Sequence, residues 1–428
     1  MDTQRPSICG GRVTLVPSSL NRRPFTWAPV LLASVLLGAC GSQRSTTSTA
    51  AKQTHPAGPI RTAGSAGAAS GGPLAPARRG WNTLLNGASH FGVSSADGPQ
   101  TSRQRWQRTL EGPIVQGPVT RGSVAYVAST RGVLHAIDVA TGRDLWTFDG
   151  GPGGSTADLS TSSTVLADGT VLFPAGGDRV VALSPAGRVL WSVTGSGEPL
   201  TPSVDESRRL LVIADTTGNV SGYRLGSDAA PLKLWTQALG AESFGNPALG
   251  RDGTAYATAG HVLAAIAPDG RLRWKLAIPQ TIETGAALAE DGTVVFGGND
   301  KIEYGIGADG TVRWRHPIGN YTYSTPLALP GDRVIYGNHS GEMTVLDARD
   351  GQPIRIYHGN GQIWTAAAVD ARGDVYFASR SGGIYGFAAN GERLFAIAAG
   401  GTFDSYPAIA ADGTLLVGGD DGVLRGIG

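Results

Sequence analysis

Little in this 428-residue chain could be cross-linked or could ligate a metal. It has two cysteines, Cys9 and Cys40, and its histidines (His55, His90, His135, His261, His316, His339 and His358) stand singly. No His-x-x-x-His or Cys-x-x-Cys spacing occurs. A zinc site, a disulfide framework and a thiol nucleophile are therefore excluded. The glycine run Gly151–Gly154 is followed by no Lys-Ser or Lys-Thr, so it is a connector and not a phosphate loop. No Gly-x-Ser-x-Gly elbow precedes a helical stretch, and no Asp-x-Asp-x-Asp calcium loop is present. The apolar run from Trp27 to Leu37 is too short to span a bilayer. Of 35 basic and 34 acidic residues, nine basic and one acidic precede Trp81. The remaining 26 and 33 leave residues 81–428 at −7. That balance argues against nucleic acid and against a basic face for anionic lipid.

What the first eighty residues do contain is an address. Arg22 and Arg23 precede the apolar run, and Leu37-Gly38-Ala39-Cys40 follows it. The order resembles the lipobox of bacterial lipoproteins, in which small residues admit the peptidase and the cysteine carries lipid. Residues 1–39 are expected to be a signal peptide, and Cys40 the lipidated first residue of the mature chain. With Cys9 removed, Cys40 has no disulfide partner, and the lipid would anchor the protein to a membrane without spanning it. Residues 41–79 are mostly Ser, Thr, Ala, Gly and Pro, so 40–80 is expected to be a disordered tether.

From residue 81 the chain repeats. Gly132 to Trp146 shows one unit: an apolar run (Val133–Ile137), a tight turn (Asp138–Gly142) and a new strand at Leu145-Trp146. The frame returns at Trp106, Trp191, Trp235, Trp274 and Trp314, and degenerately at Arg355 and Phe395, always about forty residues apart. Asp-Gly pairs (Asp168-Gly169, Asp252-Gly253, Asp291-Gly292, Asp412-Gly413) mark hairpins whose two central positions would both tolerate positive φ. Four short strands every forty residues make an all-β fold, a β-propeller. Thr402–Gly428 stops after three strands, while Ser102–Thr109 supplies a Trp106-bearing fourth strand with nothing before it. Joining the two ends gives an eight-bladed ring with no open edge.

Ala136-Ile-Asp138-Val-Ala-Thr141-Gly142-Arg-Asp-Leu-Trp146 resembles the quinoprotein-type, or PQQ-like, propeller repeat, which implies that the Trp, Gly and Asp of each unit are packing residues. The family includes pyrroloquinoline quinone dehydrogenases, but those use adjacent cysteines and calcium ligands absent here, so no cofactor is expected. With its signal, anchor, tether and eight units the chain also resembles the propeller lipoproteins of the outer-membrane β-barrel assembly machinery. The resemblance implies a non-catalytic scaffold outside the cytoplasm, presenting the loops of one face to an envelope protein.

One pattern stands outside the repeat frame. Just before the inner strands lie Asp158, Glu198, Glu242, Glu283 and Asp404, interleaved with Phe244, Tyr321, Tyr323, Trp364 and Tyr406. In a propeller these connectors meet at one mouth of the central channel. The plain reading is turn residues and rim charges; the functional one is an acidic mouth whose ring faces and carboxylates receive a partner, a small ligand or a glycan.

Overall fold

The computed structural model describes residues 81–151, 161–226 and 229–428. The expected signal, Cys40, the tether and Asp158 lie outside the described residues. Eight four-stranded antiparallel sheets form the eight blades of a β-propeller. In the eighth, Gln104–Thr109 pairs with Val423–Ile427 outside Ala408–Ile409 and Leu415–Gly418, so the first strand of the chain closes the last blade. The paired ends remove the edge an open array would expose.

The period-forty pattern becomes packing in two ways. Trp106 Nε1 donates to the Val139 carbonyl of the next blade at 2.7 Å, and Trp146, Trp235, Trp274 and Trp314 make the same bond to Pro185, Pro268, Ala308 and Ala348. Where the marker becomes Arg355, its guanidinium reaches the Asn390 carbonyl of the next blade's turn at 2.6 Å, one residue past the corresponding Ala389, so a link survives without the indole. Gly142, at φ +70°, lies against the Trp106 ring, 2.6 Å from where a Cβ would stand, and this approach explains the glycine of each turn. In the Asp-Gly hairpins only the glycines take positive φ. The aspartates instead accept the backbone N–H two residues on, as Asp168 does from Thr170 at 2.8 Å.

Inside the blades the second residue of each third strand is fully buried: Leu134, Val180, Val220, Leu263, Met343, Ile384 and Leu424 in seven blades. Burying each stabilises the fold by about 1.5–3 kcal/mol. In the fifth blade the same position is Glu303, also fully buried, with neither carboxyl oxygen hydrogen-bonded.

Before the closing strand, Trp81–Gly98 runs round one end of the channel as a strap. Backbone amides of Val165, Leu249, Leu288, Ala328 and Val369, near the ends of five inner strands, donate to strap carbonyls or accept strap N–H bonds through their own carbonyls. Trp81, Leu85 and Phe91 fill that end, and buried His90 holds the Ala286 carbonyl through Nδ1 at 2.7 Å. The connectors and the turns between second and third strands lie at the other end. Among the described residues no strap crosses that mouth.

Candidate docking mouth

Three residues before the entry of each inner strand, five consecutive blades place Phe244, Glu283, Tyr323, Trp364 and Asp404, spaced 39, 40, 41 and 40 apart. The entry is a backbone corner that the strand ladder fixes, so the five side chains form a crescent on the rim. Sixteen residues after each lies the turn between second and third strands of the same blade. That turn decides what the crescent residue meets.

In the fifth blade Asn299 Nδ2 donates to Glu283 Oε1 at 2.8 Å and to Thr281 Oγ1 at 2.9 Å. Burial raises the Glu283 pKa, opposed by that bond. In the sixth, Tyr323 meets His339 edge-on with centroids 4.7 Å apart. In the seventh, the Arg380 guanidinium lies 3.5 Å from the Trp364 ring centroid and reaches Asp404 Oδ2 at 3.3 Å. These groups join: His339 stacks on Trp364 at 5.4 Å and 16°, Tyr323 packs edge-on to Trp364 at 4.9 Å, and Lys301 covers Tyr321 at 4.6 Å. Burial, then the Arg380 charge, lowers the His339 pKa to about 4, so its imidazole is neutral at pH 7. Burial and the Glu283 charge raise that of Tyr323.

In the fourth blade the corresponding turn residue is Gly260, so that turn sends no side chain over the crescent residue. Phe244 is 40% exposed, and Glu242 beside it is exposed too. Glu198, in the connector entering the third blade, is half-buried.

The mouth therefore differs from the uniform acidic, aromatic rim that the connectors suggest. On blades five to eight the ring faces of Trp364 and Tyr321 are occupied by Arg380 and Lys301, and Arg380 also pairs with Asp404. Tyr406 is buried in the core, where its hydroxyl accepts the Thr325 N–H at 3.4 Å from two blades away. Among the described residues Glu198, Glu242 and Phe244 enter none of that cluster's ion pairs or ring contacts. Asn299, His339 and Arg380, in the turns, were missed, and the constant interval of sixteen residues is the signal that finds them; Lys301, two residues past Asn299, falls outside that interval. Glu303 was missed too, although its place in the seven-fold aliphatic register marks it. Among the described residues no three His, Cys, Asp or Glu side chains are grouped to hold a metal.

A family model described as outer membrane protein assembly factor BamB matches residues 47–224 and 228–426. Among curated proteins, the factor of that name from Burkholderia pseudomallei is 27% identical over 292 residues, covering 67% of this chain and 66% of that protein. The one from Yersinia pestis is 25% identical, covering 55% and 54%. The chain thus spans at most about two thirds of these relatives' length. Among solved structures, BamB from Moraxella catarrhalis aligns at TM-score 0.59 and 12% identity over 76% of this chain and 99% of that one. A europium-containing methanol dehydrogenase aligns at 0.61 and 12%, over 80% and 91%. At such identity both show the propeller fold alone.

Proposed function

The chain belongs to the family described as outer membrane protein assembly factor BamB, and from that premise we propose that it is a non-catalytic extracytoplasmic lipoprotein that holds an envelope protein partner in outer-membrane protein assembly. The observation that carries this reading is the bare side of the mouth. Phe244 offers exposed aromatic area, Glu242 an exposed carboxylate and Glu198 a half-buried one, and neither carboxylate makes an ion pair among the described residues. A ring of eight blades sets them on a rigid rim, so a partner docks with little ordering cost. An aromatic anchor flanked by charge is the usual make-up of a protein hot spot. Cys40 would keep the scaffold at the membrane through its lipid.

Two experiments test the reading. Changing Glu198 and Glu242 to Lys together with Phe244→Ala should abolish capture of a defined envelope partner while the melting temperature holds. Retention of that partner at parental level rejects the docking side. Replacing Cys40 by Ser should release the protein from the membrane fraction; if fractionation is unchanged, the lipoprotein assignment fails.

A second reading, a binder of a small polar ligand or glycan, draws on a different observation. Asn299 Oδ1, Asp300 Oδ1, both Glu303 oxygens and His339 Nε2 are buried without hydrogen-bond partners in blades five and six. Calorimetry with sugars and divalent cations decides it, since the triple change above leaves those groups untouched.

A further inference from the structure

The outer strands differ round the ring. Large apolar side chains are exposed on the second blade (Val189, Leu190) and the third (Leu232, Leu234), where exposure reaches 63% at Leu232. The strands that carry them, Val189–Thr194 and Leu232–Ala238, contain no acidic residue although residues 81–428 carry −7. Arg188 precedes the first and Lys233 sits within the second. Beside Leu232, on the strap end of the third blade, an open hollow of about 480 Å³ is lined by Arg209, Arg224 and Leu225. Neither arginine makes an ion pair among the described residues; Arg209 Nε holds the Leu225 carbonyl at 2.9 Å. On the opposite side of the ring Ile354 and Ile356 are also exposed, but Asp347 and Asp350 stand in the turn before them.

The described chain begins at the same end of the ring, against the inner strands of blades one and two. Trp81 N–H donates to Thr120 Oγ1 of the first blade at 2.8 Å, and the Asn82 carbonyl accepts the Val165 amide of the second at 2.7 Å. Apolar side chains beside Arg188, Arg209, Arg224 and Lys233, none of which makes an ion pair among the described residues, match the make-up of surfaces that lie in the headgroup layer and are drawn to anionic lipid.

We propose that the second- and third-blade corner of the strap end rests on an anionic lipid bilayer. Across 184–194 and 224–238 the sequence carries Arg188, Arg224 and Lys233 against Asp228, a local positive excess that the domain's net figure hides. With that corner on the membrane, the crescent, at the other end of the channel, faces away from it. The proposal does not rest on the docking reading, because it uses none of the mouth residues.

The test uses the full chain with Cys40→Ser, so that no lipid anchor contributes, and vesicles of phosphatidylcholine with or without phosphatidylglycerol. Binding should require phosphatidylglycerol, weaken with salt, and fall at least about tenfold when Arg188 and Lys233 are changed to Glu together with Leu190→Gln and Leu234→Gln. The control pair Ile354→Gln and Ile356→Gln should bind as the parent does. Equal binding by the corner variant would overturn the proposal, assigning the attraction to the basic residues before Trp81. A concentration-dependent dimer without vesicles, lost in the corner variant, would overturn it in favour of a second copy. Hydrogen exchange adds a check that needs no substitution: vesicles should protect 188–194 and 232–238 and leave 353–358 unchanged, and the reverse pattern would also overturn it.

Discussion

The two sides of the open mouth use one connector position and end in different states. Phe244 on the fourth blade and Trp364 on the seventh occupy the same place, each sixteen residues ahead of the turn that could cover it. Opposite Trp364 stands Arg380, stacked at 3.5 Å and tied on to Asp404; opposite Phe244 stands Gly260, which has no side chain. An aromatic residue whose faces are taken stabilises the ring, and one left bare is available to a partner. Residue type at the crescent thus says less than the residue sixteen positions later.

The largest effect that would sharpen this contrast is on stability. Trp364→Ala removes the centre of the Tyr323, His339 and Arg380 stack and should cost about 2–3 kcal/mol, below the range for fully buried tryptophans because the site is half-buried. Phe244→Ala should stay within about 0.5 kcal/mol, as exposed substitutions do, yet weaken partner capture. Urea titration of the two variants measures both. Equal losses at the two sites would erase the distinction between a covered and a bare side.

How much of this was legible follows from what is local. The Trp markers, the turn glycines and the closing strand Gln104–Thr109 were readable because each recurs at a fixed interval or completes a missing unit. Phe244, Glu283, Tyr323, Trp364 and Asp404 were readable as entry residues. Their states were not, because His339 and Arg380 belong to turns that look like plain punctuation until aligned. The strap was invisible for another reason: its partners are backbone amides from blades far apart in sequence, which leave no side-chain signature. Tyr406 misled because its place beside the entry proline suits the rim, while its ring turns into the core.

A smaller effect, of opposite sign, should come from the polar intruder in the aliphatic register. Glu303→Met restores the seven-blade pattern and removes two unpartnered oxygens, so it should stabilise the protein by about 1–3 kcal/mol at pH 7. Burial holds the Glu303 carboxyl protonated well above its ordinary range. The unfolded carboxyl ionises above about pH 4.5 while the native one keeps its proton, so parental stability falls as pH rises from there, and the advantage of the variant grows. A flat difference between pH 4 and 8 would mean that something charged or hydrogen-bonding meets Glu303 after all, favouring a bound ligand on the covered side.

The smallest effect concerns the same side at low pH. His339 takes a proton only near pH 4 in the folded ring, because burial and the Arg380 cation oppose its charge, whereas the unfolded imidazole takes one near 6.5. Between those values the unfolded chain binds more protons, so stability must fall as pH drops from about 6.5 towards 4. His90, fully buried under the strap and also lowered to about 4, contributes in the same direction at the opposite end of the channel. Separating them needs a substitution that spares the strap. His339→Gln keeps a polar planar side chain next to Trp364 but cannot titrate, so its melting temperature should decline less steeply below pH 6.5 than that of the parent. An identical decline would place the acid sensitivity at His90 and at His316, whose pKa burial also lowers, and leave the His339 site indifferent to pH.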